Sequence, residues 1–250
     1  MKIFVILIVG VLIALLAAVA SLAMTRRAPS LGESHKETRV VTGFSRIEVD
    51  GVAEVRLRQG KTEGATIEAP ARLLARMRTE VRDGTLIIDL AQERQWSDWV
   101  HWSGPKQIPR VTVDFIKLEL VETAGAVKLA ADSFQADELR LDFAGASTVR
   151  IKGLQASRLR VDGSGATKVE LAGKVGTQAV DLSGAGSYAA LDLESDHAEV
   201  HVSGAGKAYV NAKTSLSVDI SGAGLVEYLG NPKVQQDISG VGKVRRREPD

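Results

Sequence analysis

Carboxylates recur along this chain at a fixed offset, and they are the residues with the widest range of chemistry. Three positions before seven spaced glycines stand Glu122, Asp142, Asp162, Asp181, His201, Asp219 and Asp237. Three positions after the same glycines stand Lys128, Thr148, Lys168, Ser187, Lys207, Leu225 and Lys243. On strands both rows point outward. Stacked strands would bring the carboxylates ~4.8 Å apart, where they repel and need compensation. Calcium would supply it, since it takes several carboxylate and carbonyl oxygens. The calcium-binding nonapeptide repeat, however, sets its Asp after Gly-Gly-x-Gly, an order absent here. Each Asp is therefore expected to cap its own turn amides and to face a Lys across the corner.

Other chemistries fare no better. Asp142, Asp162 and Asp181 beside Arg140 and Arg160 could mimic the working face of a lyase-like polysaccharide enzyme. They recur once per repeat, whereas a catalytic site breaks a repeat, and shape alone carries no function. No catalytic residue is assigned. Of His35, His101, His197 and His201, only the last two share a strand, and an offset of four separates them by ~13 Å. No metal and no cofactor is expected. The Gly-x-Gly runs lack the following helix that phosphate binding needs. With 32 Lys+Arg against 31 Asp+Glu, the chain lacks the basic excess of a nucleic-acid binder. The absence of Cys excludes a disulfide scaffold, a thiol nucleophile and a lipoprotein anchor.

One segment stands apart. Trp96-Ser97-Asp98-Trp99-Val100-His101-Trp102 holds every Trp of the chain. Indole faces stack on sugar rings and anchor protein contacts. Packing onto the solenoid as part of the cap is the first expectation for these residues, and Trp96, Trp99, His101 and Trp102 are the candidate ligand-binding patch for a glycan, membrane-surface or subunit contact.

The elements that must position these residues follow from the glycines. Gly125, Gly145, Gly165, Gly184, Gly204, Gly222 and Gly240 lie 20, 20, 19, 20, 18 and 18 residues apart. Apolar residues alternate with polar ones on both sides: Leu141, Val161, Val180, Val200 and Val218 four before, Val149, Val169 and Val226 four after. A period of two means strands with one buried face. Two before the glycine stand Phe143, Leu182, Val202 and Ile220, with Gly163 as the exception. Such units cannot bury their faces alone, and one residue type at one offset in every unit is what stacked coils require. The fold class is all-β, a β-helix of about seven coils of 18–20 residues.

Residues 40–118 read as a cap with the first coils, and 119–244 as the regular repeats of the same domain, 40–250. The cap shows strands at Ile47–Val49 and Glu54–Arg58, a short helix from Ala71 to Met77 opened by Pro70, and an Asp83-Gly84 hairpin turn. The basic run Arg245-Arg246-Arg247 blunts the far end with charge. Ahead of the domain, Lys2 precedes an apolar run from Ile3 to Met24. Ala18-Val19-Ala20 suits signal peptidase, and the run is also long enough to span ~30 Å of bilayer. Residues 1–24 are thus a signal peptide or a membrane anchor, 25–39 a polar linker, and either reading puts the remainder outside the cytoplasmic membrane, in the periplasm or at the cell surface.

Gly43-Phe44-Ser45-Arg46-Ile47-Glu48-Val49, Val55-Arg56-Leu57-Arg58-Gln59-Gly60, Asp83-Gly84-Thr85-Leu86 and the serial Ser-Gly-Ala-Gly units together resemble the auto-transporter adhesin head GIN domain family. The resemblance covers about residues 40–244 and departs most in the Trp-rich stretch from Gln92 to Pro109. It implies a right-handed, often trimeric β-helix on bacterial envelope proteins with an adhesive role, and it supplies no catalytic residue. The expected function is a non-catalytic envelope module that binds a surface polymer, such as an envelope glycan, or a protein partner. The competing expectations are a polysaccharide-processing enzyme on the same scaffold and a purely structural homo-oligomer such as a homotrimer.

Overall fold

The computed structural model describes residues 33–90 and 108–248. Those residues form a β-solenoid of about six turns, with about 73% of them in strands. The regular part runs through β7 (Leu120–Ala131), β8 (Phe134–Gly145), β9 (Thr148–Gly165), β10 (Lys168–Leu182), β11 (Ser187–Val202) and β12 (Lys207–Ile220). Each pairs in parallel with the next. The last coil consists of β13 (Leu225–Leu229) and β14 (Lys233–Ile238), both on β12, and β15 (Lys243–Arg246) starts a further one on β13. About six turns stand where the repeat pattern leads one to expect seven coils.

The predicted alternation holds throughout this part. Leu141, Val161, Val200, Val149, Val169 and Val226 all point inward and are buried. Each fully buried side chain of this size contributes about 1.5–3 kcal/mol relative to exposure. The exception at Gly163 has a steric cause. A Cβ there would sit 2.8 Å from Thr167 Oγ1 and 3.2 Å from Leu182 Cδ2, which already fill the space.

The corner glycines stack into one column that begins earlier than the regular repeats. A Cβ on Gly125, Gly145, Gly165, Gly184, Gly204, Gly222 or Gly240 would lie no farther than 2.5 Å from the carbonyl oxygen of the glycine one coil before, with Gly51 beneath Gly125. The same oxygens accept backbone hydrogen bonds from the alanine after the next glycine, as in Ala146 N–H to Gly125 (2.8 Å) and Ala205 N–H to Gly184 (3.0 Å). Gly51, Gly125, Gly145 and Gly165 also have φ of +116°, +104°, +93° and +98°. At the later four corners φ is not positive and the demand is steric alone.

At the amino-terminal end, β2 (Arg46–Gln59) is a coil stacked on β7, with Gly51 opposite Gly125. Its other edge carries β5 (Thr85–Asp89) on Arg46–Asp50 and β6 (Arg110–Phe115) on Glu54–Gln59. The two strands make one split coil, with Leu90 where a corner glycine would stand: its Cβ lies 2.7 Å from a Cβ built on Gly51. Residues 91–107 are therefore an insertion at a corner position. β3 (Gly64–Pro70), β4 (Arg78–Arg82) and one helical turn, α1 (Ala71–Leu74), complete the cap. The helix is shorter than the sequence suggests. β4 and β5 form the hairpin expected at Asp83-Gly84.

Two further expectations need adjustment. The segment read as a linker to Arg39 contains β1 (Ser34–Arg39), an exposed edge strand antiparallel to β3 and too polar to signal itself by alternation. The basic tail does more than blunt an edge. Arg245 pairs with Glu227, whose side chain is only 7% exposed, on the coil before. In that last coil the inward column changes from valine to Gln236, which is exposed, so the solenoid's open end faces water with a polar rung. Residues 3–24 lie outside the described residues, among which no helix is long and apolar enough to cross a membrane.

Replacing Gly184 with Ala should cost about 1–3 kcal/mol in denaturant unfolding, because the added methyl meets backbone that cannot give way. Gly145→Ala should cost about 1 kcal/mol or more beyond that, through its positive φ. The neighbouring exposed substitution Ala205→Ser should stay within about 0.5 kcal/mol of the parent.

Candidate functional site

The carboxylate row lies in an open groove of about 720 Å³ beside the glycine column. Glu48, Asp50, Glu122, Asp142, Asp162 and Asp181 line it together with Arg140, His201 and the serines Ser164, Ser183 and Ser203. Strand alternation aims the carboxylates outward, and the small Ala and Ser residues at the corner leave room beside them. Arg140 and Arg160 bind the acids two residues on along their own strands. Arg140 Nε donates to Asp142 Oδ1 (2.9 Å), and Arg160 Nε and Nη2 donate to the two oxygens of Asp162 (2.9 Å each). Arg140 also reaches Asp162 at 3.4 Å, across the coils.

Compensation thus comes from arginine and not from the lysine row. Lys128 turns to Glu54 (3.5 Å) and Lys168 to Glu170 (2.8 Å), because the corner sends the two rows to different faces. Asp142 and Asp162 stack in register. Burial and the neighbouring Asp162 carboxylate push the Asp142 carboxyl above its ordinary value, against the pull of Arg140. Asp162 suffers the same burial, but Arg160 and Arg140 outweigh it and hold its carboxyl below that value. Burial and charge thus push the two stacked carboxyls in opposite directions, with the Arg140 and Arg160 guanidinium groups alongside. Among the described residues no three His, Asp or Glu side chains converge as a metal set.

The histidines remain apart. His197 Nδ1 is 2.8 Å from Ser215 Oγ, His201 in the groove is 3.7 Å from Asp219, and His35 is on the edge strand β1. Trp96, Trp99, His101 and Trp102 lie outside the described residues, but the points where their segment leaves and returns are fixed. The Leu90 N–H donates to the Asp50 carbonyl (2.9 Å), and the Glu54 N–H to the Pro109 carbonyl (2.9 Å). Leu90, the last described residue before that segment, is thus bound to a residue that lines the groove's amino-terminal end.

Sequence reasoning missed a buried polar cluster. The fully buried Tyr188 donates its hydroxyl to Gln178 Oε1 (2.8 Å), and Gln178 Nε2 donates to Ser195 Oγ (2.8 Å). Ser195 Oγ donates in turn to the Asn211 carbonyl (2.8 Å). Burial keeps the Tyr188 phenol protonated by pushing it well above its usual range. The cluster satisfies backbone where β12 skips three residues of β11, Leu191 to Leu193. The drop in glycine spacing from 20 to 18 was its only signal.

An all-β solenoid with a regular, charge-compensated groove and an aromatic insertion at one end defines a repeat scaffold that presents a surface. A family model described as "Putative auto-transporter adhesin, head GIN domain" matches residues 43–232, and the chain belongs to that family. A "putative adhesin" from Bacteroides fragilis superposes with a TM-score of 0.78 at 21% identity, covering 86% of this chain and 97% of that one. One from Parabacteroides merdae gives 0.65 at 19% identity, covering 87% and 97%. A "putative lipid binding protein" from Parabacteroides distasonis gives 0.61 at 17% identity, covering 87% and 98%. These likenesses establish the shared fold. No curated protein matches the chain.

The two stacked aspartates should separate by pH. The low-lying Asp162 carboxyl contributes stability that is present above the ordinary aspartate value of 3.8 and is lost as pH falls through its folded value. The raised Asp142 carboxyl subtracts stability as pH rises from 3.8 through its folded value. At pH 7 Asp162→Asn should therefore lower the denaturant midpoint and Asp142→Asn should leave it at or above that of the parent. The two variants should converge once the pH is taken below both carboxyl values.

Proposed function

We propose that this chain is a non-catalytic, adhesin-like module of the bacterial envelope that binds a surface polymer or a protein partner along its groove. Residues 1–24 serve export, as a signal peptide or an anchor, and the solenoid works in the periplasm or at the cell surface. The observation that carries the reading is the groove itself. It is open, follows the repeat, and offers carboxylates and serine hydroxyls at the ~4.8 Å step of the coils, the pattern that an extended partner can meet repeatedly. Its two central acids, Asp142 and Asp162, are paired with Arg140 and Arg160, and a carboxylate so engaged is a poor base or nucleophile. The Trp96, Trp99, His101 and Trp102 patch, on an insertion tied to the groove's end at Asp50, provides the aromatic contact that a repetitive acidic surface lacks. Family membership supports an adhesin-like role.

A polysaccharide-processing enzyme is the second reading, favoured by the raised Asp142 carboxyl beside the ionised Asp162, an arrangement that acid–base chemistry also uses. One experiment separates the two. The full chain, incubated with peptidoglycan and a panel of envelope polysaccharides, should co-sediment with at least one polymer and leave its length unchanged. The Trp96/Trp99/Trp102→Ala variant should lose at least tenfold in binding. Shortening of the polymer would contradict the non-catalytic reading and favour the enzyme.

A further inference from the structure

A second concavity lies on another face of the solenoid, and unlike the groove it sits where the repeat breaks. The coil of β10 has 19 residues between two coils of 20, and that of β12 has 18. The register absorbs the difference by bulges. Ile151 faces Leu171 and Leu154 faces Gly173, so Lys152 and Gly153 stand opposite Ala172 alone. On the other side, Ala190 faces Val210 and Glu194 faces Asn211, which throws out Leu191 to Leu193. The shorter β10 coil is thereby recessed between its neighbours and forms the floor of a notch of about 450 Å³. That volume falls within the ~300–1,000 Å³ of small-ligand sites.

The notch is preformed. Asn211 Nδ2 donates to the Leu191 carbonyl (3.1 Å), and the buried Tyr188–Gln178–Ser195 cluster holds the Asn211 backbone from inside. Its floor is apolar and small, at Leu171, Ala172 and Ala189, and the Tyr209 ring stands beside Ala189 on the next coil. Beside that floor the charges are paired, Arg150 Nε with Glu170 (2.7 Å) and Lys152 Nζ with Asp132 (3.1 Å), while Asp192 and Arg247 also line the notch. A compensated ion pair presents donors and acceptors side by side without a net charge to satisfy. That suits hydroxyl groups, each of which donates and accepts, and it disfavours a lone anion or cation. An aromatic face next to a shallow apolar floor suits the C–H face of a pyranose ring.

We propose that this notch binds a neutral sugar ring of an oligosaccharide, with Tyr209 as its platform and the Arg150–Glu170 pair as its hydroxyl partner. The inference rests on the adhesive reading only insofar as the partner is a glycan, and it names a different surface from the groove.

Titration of the full chain, kept in a polyoxyethylene detergent to avoid sugar-headed surfactants, with cellohexaose, chitohexaose and maltohexaose tests it. At least one hexaose should bind. Ala189→Leu, which fills the notch from an outward position, and Tyr209→Ala should each weaken that binding at least tenfold, with thermal midpoints near that of the parent. Tyr209→Phe keeps the ring and should retain binding, and Lys61→Gln, exposed and outside both concave surfaces, should bind as the parent does. Hexaose binding that the groove variant Asp181→Asn weakens and Ala189→Leu leaves untouched would overturn the notch while keeping the groove as the adhesive surface. Failure of all three hexaoses to bind would overturn the notch as well, and polymer sedimentation would still decide the adhesive reading on its own.

Discussion

Glycine carbonyl oxygens stacked one above another set the geometry of this molecule. From Gly125 to Gly240 each corner lies so close to the one beneath that a single methyl group would strike backbone, and from Gly125 to Gly204 the carbonyl oxygen of the corner is also the acceptor for the next coil. The corner cannot widen without breaking that bond, and a buried, unsatisfied carbonyl costs about 1–3 kcal/mol. Everything else is arranged around this column. The strands on either side are held in register, their apolar residues meet inside, and their charged residues are brought into rows outside. Coils can lose one or two residues, but they do so in bulges away from the corner, never at it.

The two concave surfaces follow from that constraint in opposite ways. Fixed register stacks aspartate on aspartate, which forces the Arg140 and Arg160 pairing and yields a groove that repeats with the scaffold. Variable coil length does the reverse at one place, recessing β10 and throwing out the β11 bulge, and a buried hydrogen-bond cluster stabilises the irregularity. The first surface suits a partner with a period of its own. The second suits a discrete group. β5 and β6, which flank residues 91–107 in sequence, lie on the two halves of β2 on either side of Gly51, where the column ends.

Much of the fold was legible in the sequence because the column demands one residue type at one offset. The glycine ladder and the inward valines and leucines follow from it, and the Asp83-Gly84 hairpin follows from its own turn residues. What escaped reading depends on contacts between coils. β1 is too polar to show alternation, and the split coil of β5 and β6 is hidden by the insertion between its halves. The partner of each aspartate was misread because the lysines lie closer in the repeat pattern, although the corner directs them to another face. The spacing of 19 and 18 residues was visible, but only the register shows that the missing residues make a notch and not a shorter corner. Tyr188, Gln178 and Ser195 carry no motif at all; they are legible only beside the Asn211 carbonyl they satisfy.

Residue-resolved hydrogen exchange under native conditions tests the column most directly. The amides of Ala146, Ala166, Ala185, Ala205 and Ala223 donate to glycine carbonyls one coil before, so all five should be protected as strongly as the strand amides beside them. They should open together with the core, not as surface turns. Corner amides that exchange at unprotected rates while β9, β10 and β11 stay closed would show that the strands hold the stack and the glycine corners merely follow, contrary to this account.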